Sequence, residues 1–272
     1  MTKVIISHDI DHLTVWEHRN DLAVPKHLAR SLVEFISGQI RLSEILQRMK
    51  DLARNKWHNL EDLMTFDKGR NIPSTFFIGV SNGKGIRYSS ADVQFWVRII
   101  MKEGFDVGVH GIAYGDTGGI RSEQKAFIQL SGLQEIGIRM HYLRRNHLTL
   151  DLLSQAGYAF DSSVLEMVNP YKVGKMWEFP LHIMDGHIFC DGRRWQSRNG
   201  HQSREDTKKI IAKAVNEGIE YLTILFHDRY FTESFTTWKE WYIWLTDYLR
   251  ENGLGLISYR EAIAELEAGS AR

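Results

Sequence analysis

Histidines and carboxylates gather at four places in this 272-residue chain: SHDIDH at 7–12, VGVHGIAYGD at 107–116, GIRMHYLRRNH at 137–147 and LFHDRY at 225–230. Each lies at or just after a short apolar run. In the first, Asp9 and Asp11 stand two apart, so an extended backbone aims both carboxylates to one side. Two acids on one face repel, and burying them together is costly unless a cation or a shared proton compensates. The pattern points to a metal site or an acid–base pair. A solvated loop acid is the plainer alternative, and the apolar strand leading straight into the motif counts against it.

His110 follows VGV and precedes a glycine, which lets a ligand approach the backbone closely. Alone it reads equally well as a satisfied core histidine, and its weight comes from the acids and histidines at neighbouring strand ends. His227 closes the apolar run YLTILF, with Asp228 on the other side of the chain. A histidine with a pKa of about 6.5 suits a general acid that gives a proton to a leaving amine and regains it near neutral pH. A structural histidine bonded to a carbonyl is the alternative. Arg139 and His141 alternate along GIRMHY and share one face, where an arginine can hold a catalytic aspartate ionised. Its alternative is a surface salt bridge of little consequence.

These clusters need elements to position them. From Asp106 onward, apolar runs alternate with helical patterns closed by glycine, the signature of strand–helix units around a parallel sheet, and Gly104, Gly157, Gly218 and Gly253 each follow an amphipathic stretch as a helix stop. Strands are expected at 4–8, 75–80, 106–110, 137–141, 158–162, 221–227 and 254–258. About seven parallel strands make an α/β fold, a distorted (β/α) barrel, with the four clusters at the C-terminal strand ends where such folds build their sites. Ser203 is expected to open one helix, and Ser258 with Glu261 reads as a capping box. Residues 13–72 interrupt the alternation as a helical insertion after strand 1. Its stripes, Leu28, Leu32, Phe35, Ile36 and Leu42, Ile45, Leu46, Met49, Leu52, keep helical spacing, and packing on the barrel is favoured over a membrane or partner surface. Trp177 and Trp195 flank a segment read as a hairpin over the barrel mouth, available for sugar stacking or for lid packing. Trp241, Trp244, Leu245 and Tyr248 read as a buried helix face. Residues 1–272 are read as one domain.

With 43% hydrophobic and 25% charged residues, the composition is that of an ordinary globular chain and argues against disorder. Lys plus Arg equals Asp plus Glu at 34 each, which removes the overall positive field of a nucleic-acid binder and leaves room only for a local basic patch. Cys190 is the sole cysteine, so no internal disulfide forms, and MTKVIISHDID fits neither a signal peptide nor a membrane span. A cytoplasmic location is expected. Nothing in the sequence sets an oligomeric state, and no glycine-rich phosphate loop or nucleophilic serine motif stands out.

Taken in order, the clusters resemble the polysaccharide deacetylases, the NodB-homology carbohydrate esterases, over nearly the whole chain apart from the insertion. SHDIDH matches the family's first motif, HGIAY its histidine motif, Arg139 the start of its arginine motif, and LFH its last leucine–histidine motif. STFFIGV at 74–80 and AGYAFDSS at 156–163 look like its second and fifth strand segments. The resemblance implies Asp9 as general base, Asp11 and His110 as ligands of a divalent metal, Arg139 orienting the base, and His227 protonating the departing amine. Zinc is the leading cofactor, with cobalt, nickel or iron as alternatives.

Two departures mark the match. The family's adjacent aspartate pair is split here by Ile10, so the roles of Asp9 and Asp11 are open to exchange. The family's second metal histidine falls four residues after the first, where this chain has Tyr114. We expect His141 to supply the third ligand, and Asp116 less so, against the alternative of Asp9, Asp11 and His110 alone. The implied function is removal of an N-acetyl group from a sugar, as a nucleotide sugar or lipid-linked saccharide in O-antigen or other surface polysaccharide biosynthesis. The competing readings are an impaired barrel that binds a glycan without cleaving it and a hydrolase for a formamide or phosphoester.

Overall fold

The computed structural model describes residues 2–270. Strand β1 (Lys3–Ile10) is buried along nearly its whole length and feeds the insertion, which holds a 3-10 turn and three helices, α1 (Ala23–Ile36), α2 (Leu42–Ala53) and α3 (Leu60–Gly69). Strand–helix units follow: β2 (Thr75–Ile78), α4 (Ser90–Lys102), β3 (Asp106–Gly111), α5 (Thr117–Ser131), β4 (Gly137–Met140), α6 (Thr149–Ala156) and β5 (Phe160–Asp161). Then come β6 (Tyr171–Val173), β7 (Met176–Glu178), β8 (Ile183–Met184), α7 (Asp185–Cys190), α8 (Gly200–Asn216), β9 (Tyr221–Leu225), α9 (Thr236–Glu251), β10 (Gly255–Leu256) and α10 (Tyr259–Ser270).

The sheet runs β6-β7-β5-β4-β3-β2-β1-β9-β8, with β10 against the start of β1, and every pairing is parallel except β6 with β7. All seven expected strands are present, curled into a distorted α/β barrel. Three short strands, β6, β7 and β8, were not foreseen. Residues 176–184 use two of them to draw the sheet around: β7 pairs with β5, Leu181 bridges to Leu165, and β8 pairs with β9. The segment flanked by Trp177 and Trp195 is therefore wall and helix, not a hairpin over the mouth. Trp177 is buried in β7 beneath Lys172, whose ammonium lies 5.0 Å from the ring centre.

Gly104, Gly157, Gly218 and Gly253 all adopt positive φ beyond the ends of α4, α6, α8 and α9, as their stop signals imply. Ser258 and Glu261 form the expected capping box, with Ser258 N donating to Glu261 Oε2 at 2.9 Å. Helix α8 instead opens earlier than Ser203, because Asn199 caps it in a box with Gln202. On α9, Trp241 and Leu245 are fully buried while Trp244 and Tyr248 stack half-buried on one another.

The insertion packs the opposite way from the expectation. Leu32, Ile36, Leu42 and Leu46 are exposed, while His27, Ser31, Glu34, Glu44 and Arg48 face inward. The buried side is a hydrogen-bonded ion network. Glu34 accepts from Arg30 Nε at 2.7 Å, Arg48 Nη1 at 2.6 Å and Gln196 N at 2.7 Å, and Arg48 Nε donates to Ser234 O at 2.8 Å. Polar groups can be buried when they find partners, and here the partners reach across elements, with Arg30 Nη2 and Arg48 Nη2 left without an acceptor. Helix α3 carries the apolar anchorage, with Leu60, Leu63 and Met64 in the core and Asp67 accepting from buried His8, Ser74 and Tyr242.

Candidate metal centre and active site

The strand ends bring Asp9, Asp11, His110, Arg139, His141 and His227 to one end of the barrel, where all but Arg139 line a cavity of about 790 Å3. Asp9 is the last but one residue of β1, His110 and Arg139 are register partners on β3 and β4, and His141 follows β4. Tight glycines let these strands close up. A Cβ at Gly137 would lie 2.0 Å from the Phe160 ring, so only glycine fits there.

Three ligand-type atoms converge. His110 Nε2 lies 3.3 Å from Asp11 Oδ1, His141 Nδ1 lies 3.2 Å from the same oxygen, and the two ring nitrogens are 3.0 Å apart. The far side of each ring fixes its tautomer: His110 Nδ1 faces Arg139 O at 3.0 Å and His141 Nε2 faces Lys84 O at 3.1 Å. A carbonyl only accepts, so those nitrogens carry the hydrogens, and with one proton per ring the other nitrogens turn lone pairs toward Asp11. Asp11 Oδ1 is buried and has no hydrogen-bond donor in good geometry. Three facing lone pairs repel unless a cation sits among them. Bonds of about 2.0–2.1 Å around a tetrahedral ion separate its ligands by about 3.3 Å, close to the spacings observed. The donor set and its geometry thus fit a divalent transition metal, with backbone carbonyls as the outer supports that metal-binding imidazoles use. Without a cation, burial lowers the pKa of His110 but Asp9 and Asp11 more than offset it, so the net shift is upward.

Asp9 sits beside the three atoms, its Oδ2 3.8 Å from His110 Nε2, and accepts from Arg139 Nη1 at 3.1 Å. Arg139 is fully buried, and each of its N–H groups finds an acceptor. Nε donates to Ser162 O, Nη1 to Ser7 Oγ as well as Asp9, and Nη2 to Ser162 Oγ and Tyr259 OH, all between 2.8 and 3.1 Å. The guanidinium also lies over Phe77 at 4.6 Å. An ion so constrained fixes the Asp9 carboxylate in place.

His227 approaches from the opposite side, with Nε2 3.7 Å from Asp11 Oδ2. Its Nδ1 donates to Asp185 Oδ1 at 2.9 Å, and Asp185 also accepts from His227 N at 2.7 Å. Burial lowers the imidazole pKa, but Asp185 first, then Asp11 and Asp9, drive it well above 6.5. This favours the charged form of the ring. Asp185 was missed in the sequence because the segment around it reads as a hairpin. The available signal was IMDG, an apolar pair ending in an acid, which repeats on β8 the strand-end grammar of SHDID. Next to His227, the Asp228 carboxyl is buried and pushed up to about 7, chiefly by that burial.

Tyr114 does not reach the cluster: its ring packs under Arg144 at 4.9 Å and its carbonyl accepts from Thr149 Oγ1. Asp116 is occupied as the cap of α5, accepting from Gly118 N and Gly119 N, which corrects its candidacy as a ligand. Trp195 lines a neighbouring groove, half-buried.

No family model matches the sequence, and no curated protein matches it either. Solved structures do. A Mycobacterium smegmatis chain described as a polysaccharide deacetylase superposes with a TM-score of 0.68 at 15% identity, covering 99% of this chain and 91% of its own. One from Pseudomonas aeruginosa PAO1, described in the same way, gives 0.61 at 15% identity over 97% and 89%. Puue allantoinase gives 0.61 at 12% identity over 98% and 90%. Such identities carry architecture and not activity: this chain has the distorted-barrel fold of the polysaccharide deacetylases.

Proposed function

We propose that this protein is a metal-dependent carbohydrate deacetylase, a hydrolase of carbon–nitrogen bonds that removes an N-acetyl group from a sugar in surface polysaccharide biosynthesis such as that of O-antigen. The convergence of Asp11 Oδ1, His110 Nε2 and His141 Nδ1 within 3.0–3.3 Å, with Asp9 and His227 on either side, carries the reading. Asp11, His110 and His141 would hold the cation. A divalent ion held there, zinc first, would supply Lewis acidity toward the acyl carbonyl and water.

The protein's own groups do the rest. Asp9, held by Arg139, takes a proton from water as its oxygen bonds to the acetyl carbon. The carbon–nitrogen bond then breaks, acetate leaves, and His227 Nε2 gives its proton to the amine nitrogen. Asp185 keeps that imidazole charged and turned inward. Of the two aspartates, Asp9 suits the base because Arg139 supports it, and Asp11 suits the ligand because its oxygen faces both rings. Lone Cys190 agrees with an intracellular reaction. Among the described residues no helix is long and apolar enough to cross a membrane.

An impaired glycan-binding barrel is the second reading, prompted by Tyr114 in the histidine motif. Metal analysis together with acetate release from N-acetylated sugars separates the two. Stoichiometric metal with acetate release supports the deacetylase, and metal-free protein that binds sugar without acetate release overturns it.

A further inference from the structure

We infer that the substrate is a sugar carried on a diphosphate, recognised by Lys26, Arg30, Arg194 and Arg229 at the mouth of the active-site cavity. The inference rests on the deacetylase reading for the sugar but not for the anion. The chain has no net charge, yet these four side chains converge on the cavity that also holds the metal-type cluster. The acids of that cavity are already engaged: Asp9 by Arg139, and Asp11 by the two imidazoles and the cation they would share.

The mouth is a surplus of positive charge with unmet donors. Among the described residues no carboxylate pairs with Lys26, Arg194 or Arg229. Arg229 is held by aromatic rings, its guanidinium 5.5 Å from Trp57 and 5.3 Å from Tyr230, and its Nε is buried without an acceptor. Arg30 donates to Glu34 and to Tyr230 OH, yet its buried Nη2 has no acceptor. Glu34 serves Arg48 as well, so one carboxylate answers two guanidinium ions. Lys26 is one turn before Arg30 on the same face of α1. Buried N–H groups are rarely left unpaired, and planar guanidinium forks match phosphoryl oxygens. Several fixed cations also favour a diphosphate over a singly charged carboxylate.

The groove continues past the charges. Lys26, Arg30, Arg194 and Arg229 are shared with a second cavity of about 540 Å3, walled also by Leu22, Val33 and the buried Trp57, its one carboxylate, Asp21, being engaged by His18 and Arg87. A group beyond the diphosphate, either a nucleoside or a prenyl chain, has apolar and aromatic surface to lie on.

The test is calorimetric titration of the metal-loaded protein with UDP and, separately, with farnesyl diphosphate. Binding of either supports the inference, and the tighter one identifies the carrier. Arg229→Gln is expected to weaken it about tenfold, as loss of one charge-assisted contact does. Lys26→Gln, at an exposed position that leaves the fold intact, is expected to weaken it by a smaller factor. His141→Ala should leave it within twofold. Absence of binding by both probes overturns the inference. So does affinity that survives both basic substitutions but is lost in His141→Ala, since the anion would then be sitting on the cation. Acetate release is scored apart: diphosphate binding with no deacetylation of any N-acetylated sugar removes the enzyme reading and leaves the anion site standing.

Discussion

At the residue scale the proposed chemistry divides between a group that moves a proton and groups that hold a cation, and substitution separates the two. His227→Ala is expected to abolish turnover with metal content nearly intact, whereas Asp11→Ala, His110→Ala and His141→Ala each lower metal content in elemental analysis. Full occupancy in all three variants would remove the site. Asp185 gives this a pH signature. Because it raises the folded-state pKa of His227 above the unfolded value, it favours the charged proton donor, and activity is expected to fall as pH climbs through that raised pKa. Asp185→Asn should move this alkaline limb of kcat/KM down toward about 6.5. The same pairing stabilises the fold in full below about 6.5 and is lost as pH climbs through the folded pKa, so the stability difference between wild type and variant should shrink on the alkaline side. The aspartate, histidine and arginine candidates were readable because their types stand out at the ends of apolar runs. Asp185 was not, since a two-residue strand leaves too little periodicity to mark its end.

At the scale of elements, the insertion shows what periodicity can and cannot say. The stripes of α1 and α2 were plain in the sequence, but an amphipathic pattern declares two faces without saying which is inside. The answer lay in partners distant in sequence: Glu34 with Arg48 and Gln196, and Arg48 with the carbonyl of Ser234. Glu34→Ala is therefore expected to cost about 3–5 kcal/mol in denaturant unfolding, because it strands two buried guanidinium ions. Ile36→Lys, on the exposed apolar face, should change stability by less than about 0.5 kcal/mol. A large loss there would return the face to the interior. Strand β3 was placed within one residue and β1 within two at either end, while β6 to β8 were missed because each is held by its neighbours and not by its own alternation.

For the whole molecule, binding of a cation to strand ends and loops from across the sheet should stabilise the fold. If the ion binds only the folded chain, zinc at a hundredfold excess over its dissociation constant adds about 2.7 kcal/mol, visible as a rise in Tm that a chelator reverses. His141→Ala should blunt that rise, and an unchanged Tm in the wild type would argue against a cation shared by these elements. The seven-strand architecture was legible from the alternation of runs, since each unit announces itself locally. How the sheet curls shut was not, because that closure belongs to residues 176–184. They grip β5 at one end and β9 at the other, then pass directly into Asp185. Mechanically this segment is a clasp, and the partner of the proton donor is riveted to its tip. Any opening of the clasp unhooks Asp185 from His227 before the strands that bear Asp11 and His110 need part. Partial unfolding should thus silence the acid while the cation is still held, and under mild denaturant activity should disappear at a lower concentration than bound metal does.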